Sequence, residues 1–297
     1  MAQPELKAKL SVVLPTYNRA ALLGRSIASV LGQSFEDFEL VVVDDGSTDG
    51  TAALLTGLDD PRIVVCRLET NQGYARALNA GVARARSPLI AFQDSDDVWR
   101  ADKLETQFRL MQLAAPDVAV VYSAFTRLGP GGEEALFPPA WVEHRAGGLD
   151  HELLKGNFIG ASTAVVRREV FLELGGFDPE MPCLQDWDFW LRLGARYRFA
   201  YCPERLATVH VTPASLNQSG PLLSARALEH ILSEHAAAFE RHRGIMAKHE
   251  HSVGHWLMLA GEPRAARAHL WRAFKLRPTR LKYAARALVA QAVPRAY

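Results

Sequence analysis

Three carboxylates close a short apolar run, Leu89-Ile90-Ala91-Phe92-Gln93-Asp94-Ser95-Asp96-Asp97. The apolar part has the length and lack of polar alternation of a buried strand. Asp94, Asp96 and Asp97 then fall where that strand ends. In open α/β sheets, ligands bind beyond the carboxyl ends of strands. Clustered carboxylates repel one another unless a cation offsets them. Hard divalent ions such as Mg²⁺ and Mn²⁺ take oxygen ligands and commonly share them with substrate phosphates. The residues alone leave two readings open. One is a metal–diphosphate site. The other is a solvated acidic turn, with Asp97 or Asp102 capping the helix that follows.

The elements that would position these groups can be read from apolar spacing. Leu10–Pro15 and Phe38–Val43 are short β-rich runs, and the second ends in the turn cluster Asp44-Asp45-Gly46-Ser47-Thr48-Asp49. Leu22, Leu23, Ile27, Val30 and Leu31 have helical spacing, predicting a helix over 20–33. Ile63–Leu68 reads as a third strand, and Gly73–Arg86 as a helix entered through Asn71-Gln72. Alternating strands and helices predict a doubly wound, mostly parallel sheet flanked by helices. Further on, the spacing predicts a helix over 102–114 and a strand over 118–125. Gly129-Pro130-Gly131-Gly132 reads as a hairpin-like turn, and 138–149, which holds Trp141 and His144, as loop. A strand over 157–166, helices over 168–174 and 185–193, and a returning edge strand over 199–209 complete the body.

Composition excludes several classes. The chain has 297 residues, of which 48% are hydrophobic and 23% charged, ordinary for a globular protein. The three cysteines, Cys66, Cys183 and Cys202, have no paired spacing, so neither a zinc site nor a disulfide framework is indicated. The first ten residues carry no apolar core segment, and no stretch is long enough to span a bilayer, so the expected location is cytoplasmic. Residues 1–220 hold 21 Lys/Arg against 28 Asp/Glu, a net of −7, while residues 221–297 hold 13 against 5, a net of +8. An acidic body and a tail without a recognisable reading module argue against a nucleic-acid partner.

The segments SVVLPTYNR, VVVDDGSTD, NQGYARALNAG, AFQDSDD, GGFD and QDWDFWLRL occur in this order. Together they resemble a family-2 glycosyltransferase with the GT-A fold, over roughly residues 9 to 215. The resemblance implies a nucleotide-sugar donor, a glycan or lipid-linked acceptor, inversion at the anomeric carbon and a divalent metal, Mn²⁺ or Mg²⁺. On the matching positions, Asp45 would accept a hydrogen bond from a uracil-type imide. Pro15, Thr16 and Tyr17 would line the same edge, with Tyr17 able to stack on the base. Arg76, on the helix opened by Gly73, would meet phosphate or ribose oxygens. Asp94 and Ser95 would face the donor. Asp96 would bind the metal, with Asp97 as an alternative ligand and His210 as a phosphate or metal contact.

Transfer to a hydroxyl also needs a base. The resemblance assigns it to Asp186, with Asp188 as the runner-up. Gln185 departs from the family's pattern, where a Glu usually stands. That departure motivates an alternative, a non-catalytic nucleotide-sugar-binding partner subunit. The expected domains are a catalytic one over 1–220 and a basic helical extension over 221–297. Within the extension, helices are predicted over 222–239, 255–260, 263–276 and 279–292. Its basic residues (Arg264, Arg267, Arg272, Lys275, Arg280, Lys282, Arg286) could lie on anionic headgroups at the inner face of a membrane.

Overall fold

A computed structural model describes residues 8–143, 145–212 and 220–292. His144 and the first seven residues, both used above, lie outside them. The chain forms two compact units, one of Met1–Pro179 with Phe189–Thr212, the other of Glu180–Asp188 with Pro213–Tyr297.

The first unit opens with β1 (Leu10–Thr16), α1 (Ala20–Leu31), β2 (Phe38–Asp44), α2 (Thr51–Thr56), β3 (Ile63–Arg67), α3 (Tyr74–Arg84) and β4 (Leu89–Phe92). Next come β5 (Val98–Trp99), α4 (Lys103–Leu113), β6 (Val118–Leu128), β7 (Glu134–Phe137), α5 (Asp150–Lys155), β8 (Ala164–Arg167), α6 (Arg168–Glu173), α7 (Gln185–Gly194) and β9 (Arg198–His210). The sheet order is β3-β2-β1-β4-β8-β6-β9-β5, with β7 paired to β6. β1, β2, β3 and β4 are mutually parallel, as are β6 and β9, and β8 joins the two groups antiparallel to both. Every residue of β1, β2 and β4 is buried, which explains why these runs lack polar alternation. The chain winds from β1 outward through β2 and β3, then returns to β4 on the other side of β1. The gap between the carboxyl ends of β1 and β4 is therefore the topological switch point, where such sheets bind ligands.

Two glycines allow close approach here. A Cβ on Gly81 of α3 would overlap Val13 Cγ1 of β1, so only glycine lets the helix lie this close to the sheet. Gly46, at φ 73°, lies against the backbone of Thr70 and Asn71, where a Cβ would come within 2.7 Å of the Thr70 carbonyl carbon. Asn79 of α3 holds the Gly175-Gly176-Phe177 turn by both faces of its amide: Nδ2 donates to Phe177 O at 2.7 Å and Oδ1 accepts from Phe177 N at 3.0 Å. The Phe177 ring then packs against Phe92, Phe171 and Phe189.

Several expectations need correction. The returning strand is not an edge: β9 lies between β6 and β5. β5 has only two residues, too few for a periodic signal, so its cover of β9 was hidden. The expected strand over 157–166 begins instead as an Asx turn, with Ile159 N bonded to Asn157 Oδ1 at 3.1 Å, and a 3-10 turn over Ala161–Thr163. Only the last part becomes β8.

Among its described residues the second unit holds the start of α7 and five more helices, α8 (Pro221–Glu234), α9 (Ala236–Glu240), α10 (Arg243–Leu259), α11 (Pro263–Leu276) and α12 (Leu281–Ala292). The helix expected over 222–239 breaks at His235, whose ring bonds Asp188 at 2.8 Å. α10 starts well before residue 255, because its buried face includes His249 and Glu250, which read as polar surface in the sequence. Among the described residues no helix is long and apolar enough to cross a membrane.

His269 of α11 ties three helices together. Its Nδ1 lies 2.7 Å from Glu250 Oε2 on α10, and its Nε2 lies 3.0 Å from Glu229 Oε1 on α8. Arg272 also reaches Glu250, at 3.1 Å, and Arg226 reaches Glu229, at 3.0 Å. The Glu250 hydrogen bond, with the charges of Glu250 and Glu229, raises the His269 pKa above its ordinary 6.5. The folded form thus holds the proton more tightly than the unfolded form. The stabilisation is complete below the ordinary value and is lost as pH rises through the raised folded one. The urea midpoint of the helical unit is expected to fall across that interval in the wild type, and to change little there in His269→Gln.

Candidate active site

The switch point is built from two laced turns on one side and the acidic motif on the other. Asn18, at φ 51°, follows β1, and its Oδ1 accepts from Thr48 N at 2.8 Å and Asp49 N at 3.3 Å. Ser47 Oγ accepts from Asn18 N at 3.0 Å, and Asp44 Oδ1 accepts from Ser47 N at 2.9 Å. Asp49 Oδ2 accepts from Ala20 N at 3.2 Å, linking the starts of α1 and α2. The acidic turn after β2 therefore spends Asp44 and Asp49 on holding the turns.

Asp45 is different. Its N–H donates to Thr16 O at 2.9 Å. Its buried carboxylate accepts from Gln72 N at 2.8 Å and Gly73 N at 2.9 Å. It thus fixes the entry to α3 and not that of α2, the next helix in the chain. Pro15 and Thr16 are buried at the end of β1, whereas Tyr17 is 42% exposed at the rim. Arg76 is exposed on α3.

Beyond β4, Gln93 is fully buried and its Nε2 donates to Ser26 Oγ and to Asp97 O, both at 3.0 Å. Ser26 Oγ in turn donates to Asp94 O at 2.7 Å. A tight turn follows, closed by Asp97 N to Asp94 O at 3.2 Å. Asp94 Oδ1 accepts from Tyr74 OH at 2.5 Å. Arg25 of α1 donates to Asp96 O at 2.8 Å, and Thr212 Oγ1 donates to Asp96 Oδ2 at 2.9 Å. Asp97 is 1% exposed, accepting from Ser162 Oγ at 2.6 Å and from His210 N at 2.9 Å. Burial, with Asp94 and Asp96 beside it, holds the Asp97 carboxyl well above the usual range.

His210 ends β9. Burial and the nearby Arg25 lower its pKa, and its buried Nδ1 has no hydrogen-bond partner. Among the described residues no group of three or more His, Cys, Asp and Glu side chains encloses a metal by itself. A buried Asp96 carboxylate, whose charge acts on the His210 ring, suits a hard ion whose remaining ligands come from a diphosphate and water.

The structure thus brings Thr16, Asp45, Asp94, Ser95, Asp96, Asp97 and His210 to one end of the sheet. Sequence reasoning missed Tyr74, Ser162, Arg19 and Arg25 as their supports. Tyr74 had a signal, since it opens the helix that carries Arg76. Ser162 had none, because its contact with Asp97 joins positions 65 residues apart in the chain.

Asp186 and Asp188 lie in the first turn of α7, within the second unit. Leu184, just before the helix, adopts φ 63°, a left-handed conformation that costs a branched residue about 1–2 kcal/mol. Asp186 is half-buried and its Oδ1 accepts from Trp187 N at 2.8 Å. Asp188 is 3% exposed, with Oδ1 on His235. Gln185 is 5% exposed and its Oε1 has no hydrogen-bond partner. A glutamate there would bury an uncompensated charge, so the neutral amide fits this helix start better.

Residues 11–175 match the family model described as "Glycosyl transferase family 2". The chain is 34% identical over 191 residues to the putative teichuronic acid biosynthesis glycosyltransferase TuaG of Bacillus subtilis, covering 63% of this chain and 72% of that protein. It is 31% identical over 185 residues to the UDP-Glc:alpha-D-GlcNAc-diphosphoundecaprenol beta-1,3-glucosyltransferase WfgD of Escherichia coli, covering 62% of this chain and 69% of the relative. Among solved structures it resembles S. aureus TarS 1-349 in complex with UDP-GlcNAc, with TM-score 0.72 and 19% identity over 95% of this chain and 89% of that one. It also resembles the mannosyltransferase PcManGT from Pyrobaculum calidifontis in complex with GDP-Man and Mn2+, with TM-score 0.62 and 21% identity over 96% of this chain and 86% of the other. These likenesses give the sheet and its helices the GT-A fold.

Proposed function

The chain belongs to glycosyltransferase family 2, and from that premise we propose that it is an inverting, metal-dependent enzyme of cell-envelope polysaccharide synthesis. It would move a sugar from a UDP-sugar to an acceptor hydroxyl. The observation that carries this reading is the carboxylate group at the switch point. Asp94, Asp96 and the buried Asp97 are concentrated where burial penalises negative charge and a divalent ion would relieve it. TuaG and WfgD both carry transferase names, one for teichuronic acid biosynthesis and one for glucosyl transfer to a diphosphoundecaprenol acceptor, which makes a non-catalytic binder the weaker reading.

Asp96 is the proposed ligand of the ion, because Asp97 already uses both oxygens on Ser162 and His210. His210 Nδ1 is the proposed additional donor. A bound ion would offset the charge that builds on the departing diphosphate. Asp45, Thr16 and Tyr17 hold the base edge, Arg76 the phosphates or ribose, and Asp94 and Ser95 the ribose side. Asp186 takes the proton from the acceptor hydroxyl, and the attack inverts the anomeric carbon. The His235 bond and the burial of Asp188 support Asp186 over Asp188 as the base. The test is release of nucleotide from UDP-, GDP- and dTDP-sugars with a diphosphate-linked lipid acceptor, with and without Mn²⁺. Metal-dependent release from a UDP-sugar is expected. Release without any divalent ion would overturn the metal assignment.

The acceptor side suggests a peripheral membrane location. α12 exposes Leu281 (81%) and Leu288 (57%), which with Ala285 share one face, flanked by Lys282 and Arg286. No acidic residue occurs from 263 to 292. The protein is expected to sediment with vesicles rich in phosphatidylglycerol and not with neutral ones. Changing Lys282 and Arg286 to Gln should reduce this roughly thirtyfold, at about 1 kcal/mol per basic residue near the surface.

A further inference from the structure

Arg19 stands at the start of α1, and nothing in the proposed mechanism uses it. Its backbone is fixed: N–H donates to Thr51 Oγ1 at 3.1 Å, and its carbonyl accepts from Leu22 N at 3.0 Å and Leu23 N at 2.9 Å. Its side chain is only 18% exposed and turns towards the acidic motif. Nη2 lies 4.0 Å from Asp96 Oδ2, and Nη1 donates to Thr212 Oγ1 at 3.5 Å. The same Thr212 hydroxyl donates to Asp96 Oδ2 at 2.9 Å. Arg19, Thr212 and Asp96 thus form one chain of donors and acceptors ending on the carboxylate assigned to the metal.

A guanidinium in that position has two consequences. It supplies positive charge to Asp96 when no ion is present, so it competes with a divalent ion for the carboxylate. It is also a fork of donors suited to phosphate oxygens, beside the place where a diphosphate would meet that ion. We infer that Arg19 couples metal and nucleotide binding: it holds Asp96 in the empty protein and passes to the diphosphate when an ion takes the carboxylate. This rests on the donor-site reading above. Arg19 is therefore a donor-binding residue whose effect is a linkage between two ligands.

The test is calorimetric titration of the full chain with Mn²⁺ alone, UDP alone and UDP in saturating Mn²⁺, for the wild type, Arg19→Gln and Arg19→Lys. Removing a unit charge about 4 Å away is worth roughly fivefold where water screens the pair and more where it does not. Arg19→Gln should therefore bind Mn²⁺ alone about fivefold more tightly. It should bind UDP in Mn²⁺ about tenfold more weakly, since a charged phosphate contact is worth about that much. The mutual enhancement of the two ligands should fall accordingly, and Arg19→Lys should restore most of it. The backbone bonds of Arg19 do not involve its side chain, so unchanged thermal melting is expected of both variants. Unchanged or weaker Mn²⁺ binding in Arg19→Gln would overturn the inference, as would the absence of Mn²⁺ binding in every form. A wild type that binds Mn²⁺ but no UDP, GDP or dTDP would count against the donor reading. The Mn²⁺ arm would still decide whether Arg19 competes for Asp96.

Discussion

Asp96→Ala is expected to lower sugar transfer by about 10³-fold or more while the protein remains folded. The size follows from the several kcal/mol that a metal supplies to a departing diphosphate, at 1.36 kcal/mol per tenfold in rate. The fold should survive because the described side-chain contacts of Asp96 are polar ones with Thr212 and with Arg19, 4.0 Å away. Its Oδ2 accepts from Thr212 at 2.9 Å, a contact worth about 1–2 kcal/mol at most, and the Arg25 bond goes to the backbone carbonyl, which alanine retains. The change also removes one of the charges that raise the Asp97 carboxyl, which eases its burial. Turnover with the best UDP-sugar, read beside a thermal melt, checks both halves. Full turnover in a folded Asp96→Ala protein would remove the carboxylate from the mechanism.

Asp186→Asn is expected to lower transfer by about 10²–10⁴-fold, the usual worth of a positioned base, while leaving donor affinity as it was. Asparagine keeps an acceptor for Trp187 N, so the start of α7 should hold. The companion change Asp188→Asn should behave in the opposite way. Its carboxylate is buried against His235 at 2.8 Å, so the loss should appear in stability more than in rate. Single-turnover kinetics with saturating donor, measured beside urea denaturation, separates the two. A larger rate loss in Asp188→Asn than in Asp186→Asn would reverse the assignment.

The contrast between these two aspartates shows what the sequence could and could not convey. Both stand in the first turn of a helix, two residues apart, and spacing alone gave them different faces without saying which face was buried. The partner that buries Asp188 is His235, far along the chain and inside what read as an uninterrupted helix. The strands β1, β2 and β4 were legible because burial on both faces leaves continuous apolar runs ending in turn residues. β5 was not, because two residues carry no period. The resemblance put Asp96 first as the metal ligand and kept Asp97 as the alternative. Ser162 and the His210 amide occupy both oxygens of Asp97, and such long-range pairings leave no local trace. Asp45 was marked by its position after a strand, yet its bonds to Gln72 and Gly73 depend on Gly46 bringing the two loops together.

The most direct test of the account is calorimetric titration with UDP, with and without Mn²⁺, of the wild type, Asp96→Ala and Asp186→Asn. Mn²⁺-dependent UDP binding is expected in the wild type, with its loss in Asp96→Ala and its retention in Asp186→Asn. Mn²⁺-dependent binding of wild-type strength in Asp96→Ala would contradict it, because the ion and the diphosphate would then be held somewhere other than the turn that ends β4.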